Sequence, residues 1–207
     1  MLRLASTAVA TALLALGALM VSGPAANAVV LDSTDITIDV PNAALSAFTG
    51  PFANLKIDLT SNTTADVSFT SLTNGGYLYM MGDGGTADLN VNGTYVLAVR
   101  ENSVAGFTPS YKSNTPGNLS SFGNFNLSLN TNGGFGEAAT TISFTLTDTG
   151  APWATAAGVL TPNDDGYSAG VHVIACAEPD CSATAQAALS GFAAKNFPAH
   201  GVAATRR

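Results

Sequence analysis

The chain has 207 residues and a formal net charge of −7, and only 10% of it is charged, against about 25% for an ordinary soluble domain. Seven Lys and Arg in all are too few for the clustered basic surface that phosphate neutralisation needs, so no nucleic-acid partner is expected. Asn, Thr, Ser and Gly supply the polarity instead, a common habit of exported β proteins, and the length suits one domain.

Met1 to Ala28 carries the three parts of a secretory signal. Arg3 is the charged start, Leu4 to Val21 is an uninterrupted run of small and apolar residues, and Ala26-Asn27-Ala28 is a signal-peptidase site. The run approaches the roughly 20 residues of a membrane span. Its content of Ala, Thr, Gly and Ser makes it weakly hydrophobic, and it ends in a cleavage site rather than in basic residues. Cleavage after Ala28 is expected, with no second span in the mature chain. No Cys adjoins the site, so a lipoprotein is not expected.

A short helix at Asn42 to Phe48 is stopped by Gly50-Pro51. Strict apolar and polar alternation, the mark of a half-buried strand, then recurs along the chain. Leu55, Ile57 and Leu59 alternate with Lys56, Asp58 and Thr60; Ala87, Leu89 and Val91 with Asp88, Asn90 and Asn92. Phe125, Leu127 and Leu129 alternate with Asn126, Ser128 and Asn130; Ile142, Phe144 and Leu146 with Ser143, Thr145 and Thr147. Weaker patterns predict strands at Ile36–Val40, Val67–Leu72, Tyr77–Met81, Tyr95–Arg100 and Val171–Ala175. The last is apolar on both faces apart from His172, which predicts a central position in a sheet. Asn74-Gly75-Gly76, Gly82-Asp83-Gly84-Gly85, Asn92-Gly93, Asn132-Gly133-Gly134 and Asp165-Gly166 are turn signals. Asn102 to Ser121, with Pro109 and Pro116 and no periodicity, reads as a long surface loop, a usual place for binding. Ser182 can cap a helix from Ala183 to Lys195, although Gly191 opposes it. The expected organisation is therefore a signal peptide at 1–28, an antiparallel β-sandwich or jelly-roll-like domain at 29–195 ending in one short C-terminal helix, and a disordered tail at 196–207.

Cys176 and Cys181 are five residues apart in a chain bound for an oxidising compartment, which predicts a small disulfide loop. A redox pair prefers Cys-x-x-Cys, and a metal site wants ligands beyond the nearby His172. The only other histidine, His200, lies in the tail. Neither histidine suits a catalytic base, and His172 reads as structural. Glu101 and Glu137 are conceivable as a glycosidase pair, but nothing in the sequence brings them together. Asp164 and Asp165 form the densest carboxylate group, with Asp83 in another glycine-rich turn. They are candidate calcium ligands, although turn chemistry explains them without metal. Tyr77, Tyr79, Tyr95, Phe107, Tyr111 and Trp153 are potential sugar-stacking surfaces. Most read as core; Tyr111, in the long loop, is the better exposed candidate, and Trp153 is the second retained. Sequons fall at Asn62, Asn92, Asn118 and Asn126 and matter only in a eukaryotic secretory pathway.

The segments FTSLTNGGYLYMMGDGGTADLNVNG (Phe69 to Gly93), GFTPSYKSNTPGNLSSFGNFN (Gly106 to Asn126) and ISFTLTDTGAPWATAAGVLTPNDDGYSAGVHVIAC (Ile142 to Cys176) resemble a group of exported bacterial proteins of unknown function. Members of that group often end in a PEP-CTERM sorting tail. The resemblance implies a β-sandwich-like exported domain at the cell surface or in an exopolysaccharide matrix, and brings no catalytic residues. A full sorting tail has Pro-Glu-Pro, an apolar span and a basic cluster. Here Phe197-Pro198 leads through a short polar stretch to Arg206-Arg207. The expected function is non-enzymatic and structural or adhesive, with extracellular polysaccharide as a partner; the alternative is a carbohydrate-binding module with structural calcium. A third class, an outer-membrane β-barrel, fits the length but lacks a terminal aromatic strand.

Overall fold

The computed structural model describes residues 29–99, 112–114, 116–131, 134–181 and 189–197. The expected signal segment 1–28 lies outside them. In chain order the strands are β1 (Asp32–Ile38), β2 (Val40–Pro41), β3 (Ala53–Ser61), β4 (Thr64–Ser71), β5 (Thr73–Asn74), β6 (Tyr77–Met81), β7 (Ala87–Leu89) and β8 (Tyr95–Val99). They continue with β9 (Lys112–Asn114), β10 (Gly117–Leu119), β11 (Gly123–Phe125), β12 (Leu127–Asn130), β13 (Thr141–Asp148), β14 (Tyr167–Ala177) and β15 (Leu189–Asn196). Short 3-10 turns at Ala43–Leu45, Gly134–Glu137 and Ala157–Val159 are the helical structure among the described residues. None is long and apolar enough to cross a membrane.

The strands pair antiparallel in two main sheets and a separate β10-β11 hairpin. One sheet has the order β1-β3-β4-β13-β8; the other runs β2-β15-β14-β7-β12-β9, with β6 also beside β14 and β5 beside β6. The alternation read from the sequence sets the faces of the first sheet. Register places Leu55, Phe69 and Ile142 in one row, and Ile57, Val67 and Phe144 in the next, all buried. Ala87, Leu89, Leu127, Leu129, Val171 and Val173 of the second sheet belong to the same apolar core. The molecule is thus an all-β sandwich of two sheets.

β14 departs from simple alternation, being buried from Ser168 to Cys176. Its odd-numbered residues face the shared core. Its other face carries Gly170, His172, Ile174 and Cys176, which a second layer covers. Leu119, Phe122 and Phe125 of the hairpin pack there with Ala194 and Phe192, and Met80, Ala138 and Phe135 pack on Ile174 and Cys176. Close approach is possible because residue 170 has no side chain: a methyl group at Gly170 would overlap Leu119 and lie 3.2 Å from the Ala193 carbonyl.

Each predicted strand has a counterpart, and four expectations are corrected. The C-terminal helix is a strand over Leu189–Asn196, paired with β14 from Tyr167↔Asn196 to Ala175↔Leu189. The free edge of an eleven-residue buried strand offers a row of backbone partners. Gly191, costly in a helix, here admits Leu45, whose Cγ lies 2.7 Å from where a β-carbon would stand. Residues 182–188 lie outside the described residues. Asn196 and Phe197 also belong to the fold rather than to a tail, because Asn196 ends β15 and Phe197 N donates to Gly166 O at 2.9 Å. The long loop contains β9 and β10, whereas its stretch 102–111 lies outside the described residues. The helix at Asn42 to Phe48 is the single turn Ala43–Leu45.

The seating of Leu119 over Gly170 has a measurable signature. Gly170→Ala is expected to lower stability by about 2 kcal/mol through overpacking, and Leu119→Ala by about 3 kcal/mol through a cavity. In urea unfolding the double variant should lose less than the two single losses added. Simple additivity would contradict the contact.

Candidate functional site

β14 changes partner partway along: Val173 pairs with Met81 of β6, whereas Gly170 pairs with Asp88 of β7. The sequence Gly82-Asp83-Gly84-Gly85-Thr86 spans the gap as a bulging loop opposite His172. His172 N donates to Gly85 O at 2.7 Å, and Gly82 N donates to His172 O at 3.2 Å. Asp83 and Gly85 take φ of 65° and 74°, so glycine suits the second position. β12 and the residue after it pin the loop from the side. Gly85 N donates to Asn130 Oδ1 at 2.5 Å, Asp83 N to Thr131 Oγ1 at 2.7 Å, and Thr86 Oγ1 to Asp83 O at 2.5 Å.

Beside this loop the polar positions of three strands fall on the face away from the main core. Asp88 stands between Ser128 and Gly170 in register, with Asn130 two residues further along β12. An uncovered sheet would leave them in water, but the β10-β11 hairpin buries them. Asp88 is 0% exposed, Asn130 3% and His172 8%. Neither Asp88 carboxylate oxygen has a hydrogen-bond partner of good geometry, nor do Asn130 Nδ2 and His172 Nδ1. Such an atom costs about 1–3 kcal/mol. Burial raises the Asp88 carboxyl pKa to about 7, and the Ser128 hydroxyl across the strand opposes the rise. Burial lowers the His172 pKa, against the upward pull of Asp83 and of the Gly84 and Gly82 carbonyls; its ring stacks on Phe192 with centroids 4.4 Å apart. Above this layer a cavity of about 330 Å³ is lined by Gly84, Ser128, Asn130, Asn118, Ser120 and Phe192, among others.

On the far side of the hairpin a shallower groove of about 200 Å³ is bordered by Asn90, Asn124, Asn126, Asn163, Asp164 and Phe125, among others. Its asparagines knit the chain. Asn126 Oδ1 accepts from Val91 N at 2.7 Å while its Nδ2 donates to Val91 O at 2.7 Å, and Asn163 Nδ2 donates to Phe122 O at 2.8 Å. A larger opening of about 510 Å³, between β1, β15 and the 157–160 turn, includes Asp35, Asp39, Lys195 and Phe197. Its one cation is spent on Asp39 at 3.1 Å, and none of its lining side chains has an orphaned buried polar atom.

The sequence candidates scatter. Cys176 and Cys181 form the disulfide, with Cα atoms 5.4 Å apart, and it closes over the Met80, Ala138 and Ile174 cluster. Asp164 and Asp165 are exposed at the turn before β14, where Asn163 Oδ1 accepts from Asp165 N at 3.1 Å and Tyr167 N at 2.9 Å. Only Asp164 reaches the groove. No group of three or more His, Cys, Asp or Glu side chains that could hold a metal occurs among the described residues. Trp153 is 4% exposed and its indole N–H donates to Asn92 O at 2.8 Å, so it packs in the core and offers no stacking face. Tyr79 and Tyr95 likewise turn their hydroxyls onto the backbone, at Thr49 O and Asn126 O. Tyr111, Phe107, Glu101 and His200 lie outside the described residues. Asp88, Ser128 and Asn130 read as solvent-facing in the alternation; the one hint of their burial was the two-sided β14 beside them.

No family model matches the chain, and no curated protein or solved structure matches it either.

A pH titration tests the buried carboxyl. Asp88 binds its proton more tightly folded, with a pKa of about 7, than at its ordinary 3.8. Its contribution therefore costs nothing below about pH 4 and destabilises progressively as pH rises to 7. Asp88→Asn removes that cost, so its stability relative to the parent should rise from pH 4 to pH 8 by roughly 4 kcal/mol at most. Urea midpoints that differ by the same amount at both pH values would contradict the assignment.

Proposed function

We propose that the chain is an exported, non-enzymatic module of structural or adhesive type that holds extracellular polysaccharide. The carrying observation is the chemistry of its recesses: the groove beside the hairpin and the cavity across it are bordered mostly by amides, hydroxyls, glycines and prolines, with Asp164 the one carboxylate and no Lys or Arg among the described side chains. Such surfaces exchange hydrogen bonds with neutral hydroxyl-rich chains while stripping water from few charges. The signal-like segment 1–28, the disulfide and the resemblance to exported bacterial proteins support placement outside the cytoplasm. A jelly-roll-like arrangement is the finer reading of the sandwich.

A second reading, a carbohydrate-binding module with structural calcium, is favoured by the position of Asp164 at the groove, with Asp165 beside it in the turn. Co-sedimentation with an insoluble neutral polysaccharide, run with calcium and with chelator, separates the two. The first reading expects equal binding in both, no release of reducing ends, and no effect of Asp164→Asn. Binding lost with chelator and in Asp164→Asn selects the second. No binding in either condition overturns both.

A further inference from the structure

We propose that the cavity over Ser128 and Asn130 seats one neutral sugar ring, the terminal residue of a polysaccharide; this rests on the polysaccharide reading and adds the place and the unit recognised. Asn130 is 3% exposed and its Oδ1 is occupied by Gly85 N. Among the described residues its Nδ2 has no partner, and it belongs to a side chain lining the cavity. A buried amide donor without an acceptor calls for a partner, and a ligand oxygen in the cavity would supply one. Ser128 Oγ, on the same strand face two residues away, both donates and accepts. Asn118 and Ser120 stand exposed at the mouth. Phe192, half-buried and backed by the His172 ring at 4.4 Å, supplies an apolar wall. A ring bearing hydroxyls on its rim and C–H groups on its face meets all of these together.

Charge narrows the class. Among the described side chains no Lys or Arg lines the cavity; that of Lys112, which pairs with Asn130 from β9, lies outside them. Asp88 lies behind Ser128 and Gly85, where a β-carbon on Gly85 would stand 3.2 Å from Asp88 Oδ2. The described lining thus offers an anion no cationic side chain. A metal cation finds no cluster of carboxylates among the described residues and meets the donor Nδ2. The volume of about 330 Å³ sits at the small end of ligand pockets, which limits the occupant to a unit of this size.

The test is a set of amide NMR titrations of the protein with glucose, galactose, mannose and N-acetylglucosamine, then with the trisaccharide of the best binder, and with sulfate and calcium. At least one sugar should move the Asn130 side-chain amide and the Gly84 and Gly85 backbone amides saturably. Its Kd should be on the order of millimolar, as suits a ligand of about a dozen heavy atoms. The trisaccharide should move the same signals. Gly84→Leu fills the cavity: position 84 is outside the left-handed region, and its nearest neighbour there is Asn130 Oδ1 at 3.9 Å. It should weaken sugar binding at least tenfold, and Ser128→Ala severalfold should Gly84→Leu misfold. Asp164→Asn, across the hairpin, should not.

The inference falls if the single sugars bind but the trisaccharide does not, or if sulfate or calcium moves these signals in place of the sugars. It also falls, with the polysaccharide reading intact, if co-sedimentation persists unchanged in Gly84→Leu. Loss of both sugar shifts and co-sedimentation in the parent overturns both.

Discussion

A strand buried on both faces cannot end a sandwich; it obliges the chain to build a third layer. β14 imposes that constraint. Its core face is satisfied by the opposing sheet, but Gly170, His172, Ile174 and Cys176 face the other way, and leaving that face in water would forfeit the burial of Ile174 and the neighbouring Phe192. The β10-β11 hairpin, the Gly134–Glu137 turn and the disulfide loop all lie on this face. The glycines at 117 and 170 are where the hairpin comes nearest, since a β-carbon on either would overlap a neighbouring side chain.

Covering that face brings polar residues inside with it. Asp88, Ser128 and Asn130 keep the alternation of ordinary half-exposed strands and are enclosed only because their sheet is roofed. Part of their hydrogen-bonding capacity is used locally, as when Asn130 holds Gly85; part is left over. A protein selected for stability alone would fill such a layer with Val and Thr methyls. The residual donors and acceptors beneath a cavity are what distinguish this face from the Ser- and Thr-rich outer face of the five-stranded sheet, where every side chain has access to water.

Much of the fold was legible because period-2 alternation is a direct record of one buried face. Leu55, Ile57 and Leu59, or Ile142, Phe144 and Leu146, needed no tertiary information to be placed. The segment Leu189–Asn196 was misleading because Ala, Lys and a capping Ser suit a helix locally, whereas the deciding partner, the edge of β14, lies more than a dozen residues away in sequence. The site was less legible for the same reason. Whether Asp88 meets water depends on a hairpin thirty residues downstream, and no local pattern encodes that. Trp153 was read as a ligand platform by residue type, but its indole N–H is answered by Asn92 O, a partner set by chain path rather than by spacing.

β15 lies between β2 and β14, pairing Ala193 with Pro41 on one side and Val171 on the other. The last described strand thus stitches the start of the fold to its centre. Until that segment is available, β14 has an open edge and β2 has nothing to pair with, so the larger sheet cannot close cooperatively. Closure of the larger sheet therefore waits on a contact of long sequence separation, between β2 and β15, whereas the five-stranded sheet is complete at β13.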